Sequence, residues 1–171
     1  MTLRRILDGL YDAAGYLAAL FLVGTLAMVL VGIAGRLLHF HVPGTDAYAG
    51  YSMAAAGFLA LAHTLKRGEH IRVTLLIERL GPASRRRMEL WALGVGVLLA
   101  ALFAYFSVRL AWQSYDFNDV STGNDATPLW IPQLAMAAGT LILLVALLDE
   151  LVRELRGTRR AVTHAEPRFN E

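Results

Sequence analysis

The 171-residue chain has no cysteine, which removes disulfides and thiolate metal sites from consideration. It is also short of charge: 18% of its residues are charged, against about a quarter in an average soluble domain. The shortage is concentrated. Residues 13–35, 47–65, 90–108 and 126–148 contain no Asp, Glu, Lys or Arg. They also lack the polar face that recurs every third or fourth residue in a helix of a soluble bundle. At ~1.5 Å rise per residue each makes a helix of roughly 28–35 Å, which matches a hydrocarbon core of about 30 Å. The expected fold is an all-α membrane protein with four transmembrane helices, at about 13–35, 47–65, 90–112 and 128–148. The first apolar stretch exceeds the ~7–15-residue core of a signal peptide, and Asp8 and Asp12 interrupt the segment before it. It is read as an uncleaved first helix.

The spans are empty of chemistry as well as charge. An intramembrane ionisable residue is the usual mark of a transport pathway, and a self-sufficient coupled carrier needs a carboxylate at mid-depth. None is present. Haem ligation needs two axial groups, yet His39, His41, His70 and His164 lie outside the spans and only His63 lies within one. His63 is read as an interfacial or helix-contact residue and His39-x-His41 as a turn rather than a metal site. No nucleophile and base pair, phosphate-binding glycine loop or metal-ligand spacing is found. The chain is therefore expected to be no enzyme and to carry no cofactor.

What charge there is has a direction. Arg4 and Arg5, then Lys66, Arg67, Arg72, Arg79, Arg85, Arg86 and Arg87, then Arg153, Arg156, Arg159, Arg160 and Arg168 fall in segments that alternate onto one side. They are 14 of the 16 basic residues. Arg36 and Arg109 sit at the other ends of their helices, where they can snorkel. Residues 113–125 carry Asp116, Asp119 and Asp125 without a Lys or Arg. Basic residues are retained in the cytoplasm, so both termini are placed inside. Arg85, Arg86 and Arg87 are assigned to lipid headgroups rather than to nucleic acid.

Between the spans, Val42-Pro43-Gly44 signals a tight outer hairpin. Val73, Leu76, Ile77 and Leu80 share one helical face, which predicts a short amphipathic helix over about 70–80, stopped by Gly81-Pro82. It lies against the membrane interface or a partner. Residues 1–155 make one membrane domain and 156–171 a basic cytoplasmic tail. Small residues recur at packing distance: Gly50-x3-Ala54, Ala56-x3-Ala60, Gly96-x3-Ala100-x3-Ala104 and Ala135-x3-Gly139, with Gly50 and Gly57 on one face. Such spacing lets helices approach closely in lipid, either with each other or with another membrane protein.

The segment from Phe58 to Leu76, with its Lys66-Arg67-Gly68-Glu69-His70-Ile71-Arg72-Val73 core, resembles the small membrane subunit of tripartite ATP-independent periplasmic (TRAP) transporters, the DctQ-like family. The Val-Pro-Gly hairpin and the Pro128-x-Trp130-x-Pro132 opening of span four extend the resemblance over most of the chain. Family members often carry Glu and Trp at the start of span two, where this chain has Asp46, Tyr48 and Tyr51. The resemblance implies a scaffold subunit in a bacterial inner membrane. It implies a large multi-spanning membrane subunit and a periplasmic substrate-binding protein as partners, in sodium-coupled uptake of an organic acid. Asp46, Gly57, Gly68, His70, Arg72 and Trp130 are then the expected partner or interface residues, all structural. The rival readings are a small four-helix transporter in its own right and a membrane anchor for a redox enzyme.

Overall fold

The computed structural model describes residues 2–40, 42–67 and 81–157. They form four helices: α1 (Thr2–Leu38), α2 (Thr45–Arg67), α3 (Pro82–Asp116) and α4 (Trp130–Leu155). The helix expected over 70–80, with Gly68, His70 and Arg72, falls outside the described residues, as does the tail from 158. Three helices, over Arg4–Leu38, Ser84–Asp116 and Trp130–Leu155, are long and apolar enough to cross a membrane. α2 is not among them. Its 23 residues reach about 35 Å, but Gly, Ser, Thr and Tyr dilute its apolarity.

The helices run past the charge-free stretches that predict them. α1 starts at Thr2, so the N-terminal segment extends the first helix. α3 starts at Pro82 and carries the Arg85–Arg87 triplet in its opening turns. Proline suits that place, because a first-turn N–H has no intrahelical acceptor to lose. α1 ends in a Schellman turn: the Phe40 N–H donates to Gly35 O at 3.0 Å and His39 takes φ 58°. Gly44, at φ 80°, then turns the chain into α2, where the Tyr48 N–H donates back to Gly44 O. His39 is thus a helix terminator; His41 is outside the described residues.

Side-chain pairs fix the directions. Gly15 faces His63, Gly24 faces Ser52 and Gly32 faces Thr45, so α1 and α2 are antiparallel. Gly96 meets Leu147 and Tyr115 meets Trp130, so α3 and α4 are antiparallel too. The two hairpins join through α2 and α4, which run parallel: Gly139 lies on Phe58, and further along Ala62 packs beside Ala146. The resulting order is α1, α2, α4, α3, an open row with α1 and α3 at its edges.

Small residues make the row possible. On α3, Ala100, Ala104, Ser107, Ala111 and Ser114 are all buried, one helical stripe laid along α4. On α4, Ala137, Gly139, Thr140 and Ala146 are buried in turn. The closest approach is at Gly139, where an added Cβ would sit 2.5 Å from the Phe58 carbonyl oxygen. The largest buried apolar side chain is Tyr11, which ties α1 to Ala62 of α2 and Ala146 of α4.

Gly139→Ala is expected to cost about 1–3 kcal/mol through overpacking, seen as a lower thermal unfolding midpoint in detergent. Gly57→Ala, where an added Cβ meets nothing within 4 Å, should hold or raise the midpoint, since alanine is the better helix former. Equal midpoints would show that α2 and α4 do not meet at this glycine.

Candidate partner and lipid interface

Each end of the row carries its own polar cluster. At one end Lys66 Nζ lies 3.0 Å from both oxygens of Asp12, 3.3 Å from the Asp8 carbonyl oxygen and 3.5 Å from Asp8 Oδ1. His63 Nδ1 is 3.5 Å from Asp12 Oδ1 and its ring packs against Gly15, where a Cβ would come within 2.8 Å. His63 is thus a helix-contact residue between α1 and α2, as expected. Spacing explains the cluster, since Asp8 and Asp12 are one helical turn apart and share a face.

At the opposite end the α3–α4 loop folds onto the α1–α2 turn. A single antiparallel bridge joins Val120 to Pro128, with the Ser121 N–H donating to Thr127 O at 2.8 Å and the Leu129 N–H to Asp119 O at 2.9 Å. Asp125 is its anchor. The Ser121 hydroxyl donates to Asp125 Oδ1 at 2.8 Å, and the Tyr51 hydroxyl, from α2, to Asp125 Oδ2 at 3.1 Å. Hydrogen bonding by Thr127 is the largest influence on this carboxyl. With Ser121, the Asp125 backbone and Tyr51, it outweighs desolvation and brings the pKa down to about 2. Thr127 also meets the Tyr48 hydroxyl at 3.2 Å.

The expected interface residues divide between used and open positions. Asp46 stands in the first turn of α2, exposed, with Arg36 Nη2 3.7 Å away. The two border a cavity of about 440 Å³ between the α1–α2 turn and Asn124. Trp130 opens α4 and sets its ring edge-on to Tyr115, centroids 5.7 Å apart. Gly57 and Gly50 are open: with Met53 and Ala54 they form an exposed stripe on α2, while Ala55, Ala56, Leu59 and Ala62 are buried. Arg85, Arg86 and Arg87 are exposed, and each also has a protein partner. Arg85 Nε pairs with Glu89 at 3.2 Å, Arg86 Nη2 donates to Leu155 O at 3.3 Å and Arg87 Nη2 to Ser84 Oγ at 3.4 Å. Arg86 thereby ties the start of α3 to the last turn of α4, where a cation also meets the helix dipole favourably.

Sequence reasoning did not assign the Asp8–Asp12–Lys66 cluster or the Asp125–Tyr51 contact. The first had a signal, two acids at helical spacing opposite a lysine that a hairpin brings close. The second had none, because Asp125 is one acid among several in a polar loop. Among the described residues no group of three His, Asp or Glu is placed to hold a metal ion.

Long apolar helices in an open row, with their ion pairs gathered towards the two ends, define a small helical membrane component. A family model described as tripartite ATP-independent periplasmic transporters, DctQ component, matches residues 25–157, from the middle of α1 past the end of α4. The chain belongs to that family and is a TRAP transporter small membrane subunit, a transporter component rather than an enzyme. Comparison with curated proteins finds no match.

The Asp125 anchor gives a pH dependence of definite sign. Its folded pKa, about 2, lies below the ordinary 3.8, so its contribution is complete above about 3.8 and is lost as pH falls through about 2. Amide hydrogen exchange across residues 117–129 should therefore rise between pH 4 and 2 beyond the intrinsic trend. In Asp125→Asn exchange should already be fast at pH 5, with no further step. An Asp125→Asn loop as protected as the wild type at pH 5 would remove Asp125 as the anchor.

Proposed function

We propose that this chain is the scaffold subunit of its transporter, holding the stationary part of a large multi-spanning membrane subunit. A periplasmic binding protein delivers an organic acid, and the large subunit moves it with sodium. All four helices cross the bacterial inner membrane, α2 included, with both termini in the cytoplasm. The Lys66 end faces the cytoplasm and the Asp125 end the periplasm.

The observation that carries this reading is the uncovered stripe of α2. A helix low in apolarity, with Gly50, Met53, Ala54 and Gly57 exposed along one face, suits close approach by another protein better than contact with lipid. The sidedness is supported by the ends of the row, since Arg4, Lys66, Arg86 and Arg153 gather at one of them. The absence of Asp, Glu, Lys and Arg from the middle of the four spans fits a role in which coupling ion and substrate bind elsewhere.

The test uses the complete transporter solubilised in mild detergent. Gly50→Leu and Gly57→Leu add side chains into space the chain itself leaves open, so this subunit should keep its unfolding midpoint. Recovery of the large subunit with it should fall several-fold, and organic-acid uptake with it. Full recovery and full uptake with both leucines would sink the α2 interface. Substrate movement by this chain alone in vesicles would favour the self-contained transporter, and a haem spectrum the redox anchor.

A further inference from the structure

Arg109 is a cation of α3 at the boundary of its charge-free stretch, exposed, and with no hydrogen bond or carboxylate partner among the described residues. It stands beside a groove of about 570 Å³ between α3 and α4. Ala101, Ala104 and Val108 of α3 and Leu141 and Leu144 of α4 line the groove, an apolar surface floored by small side chains. Trp112, one turn beyond Arg109 on the same side of the helix and 71% exposed, closes its upper end.

Dimensions and charge together select the occupant. From Ala101 to Trp112 the groove follows α3 for roughly 16 Å, which is about the depth of one hydrocarbon leaflet. Its cation and its tryptophan are both at one end, the order in which a phospholipid presents phosphate, interfacial glycerol and acyl chain. A guanidinium at this depth reaches outward to the headgroup layer, where it can fork onto a phosphate. A transmembrane helix seated here would instead bury Arg109 and would need an acid of its own to meet it.

We propose that the α3–α4 groove is a binding site for an anionic diacyl phospholipid. Its headgroup phosphate is held by Arg109 and capped by Trp112, and one acyl chain lies over Ala101 and Ala104. The site stands on α3 and α4, both long and apolar enough to span a membrane, and does not depend on the scaffold role. With the orientation proposed above it serves the periplasmic leaflet, opposite the Arg85–Arg87 triplet.

The test makes Trp112 the single reporter, in the full-length chain carrying Trp91→Phe and Trp130→Phe. The protein is reconstituted in phosphatidylcholine vesicles containing a minor fraction of brominated-chain phosphatidylglycerol or brominated-chain phosphatidylcholine. Brominated phosphatidylglycerol should associate about five-fold more strongly, the size expected for one basic residue facing an anionic headgroup. Arg109→Gln should bring the two lipids level and Arg109→Lys should keep the preference. If the double Trp variant does not insert, native mass spectrometry of the unsubstituted chain replaces it. A phosphatidylglycerol adduct should persist in the wild type and be lost in Arg109→Gln. Equal quenching by both lipids in the wild-type background, or an adduct indifferent to Arg109→Gln, overturns the proposal. Quenching by neither lipid overturns it in favour of a protein in the groove.

Discussion

The closeness of α2 and α4 at Gly139 is the constraint on which the remaining architecture depends. With backbone of one helix against backbone of the other, their surfaces mesh without large side chains between them. In lipid there is no hydrophobic gain from bringing two apolar helices together, so close packing must supply the attraction. The two hairpins are each held by a short connection or by their own seam, and α2 against α4 is the main seam between them. Without the α2–α4 contact, the Tyr11–Ala146 packing and the loop contacts of Asp125 and Thr127 with Tyr51 and Tyr48 would be left to join the two hairpins.

The ends are held by different physics. Within the apolar middle, small residues and dispersion suffice. Near the headgroups water competes, and the chain turns to charges and hydroxyls: Lys66 between Asp8 and Asp12 at one end, Asp125 among Ser121, Tyr51 and Thr127 at the other. Exposed ion pairs contribute little singly. Here they act as registers. Lys66 on Asp12 fixes how far α1 slides along α2, and Asp125 on Tyr51 fixes where the α3–α4 loop sits over the first hairpin. A row with no closed bundle to lock it needs such stops, because a translation along a smooth stripe of alanines costs little.

Much of this was legible from the amino-acid order. Charge-free stretches predict the helices because burial of an unpaired charge in hydrocarbon is costly whatever the fold. Helix ends were less legible. Thr2 to Asp12 and Pro82 to Glu89 are helical beyond the apolar stretch because a helix needs no lipid to continue, and Pro82 at the first turn suits the start of α3. The small-residue motifs were visible, but their use was not. Gly96-x3-Ala100-x3-Ala104 lines the α4 seam while Gly50-x3-Ala54 lies open, though the two read alike. Spacing tells that a backbone can come close and is silent on whose. Asp125 was hidden for another reason, since its partners are set by how a loop folds back.

The low apolarity of α2 is compatible with its place in the row, though α4, which also has a neighbour on each side, stays apolar. A helix between two neighbours meets protein along two of its sides, and protein tolerates Ser52, Thr45 and Tyr51 where lipid would not. α1, at an edge, meets lipid or a partner over most of its circumference and carries Leu20, Val23, Leu26 and Leu30 exposed. α2 therefore reads as the poorest membrane span of the four while being packed on two sides. Its one uncovered stripe is the exception that matters: small, weakly apolar and flanked by α1 and α4, it forms a surface that lipid chains fill poorly and a helix fills well. An open row with lipid-suited edges and a protein-suited centre is incomplete by construction. The same logic separates the α2 stripe from the α3–α4 groove, where a cation at the leaflet boundary gives a phospholipid what the stripe does not.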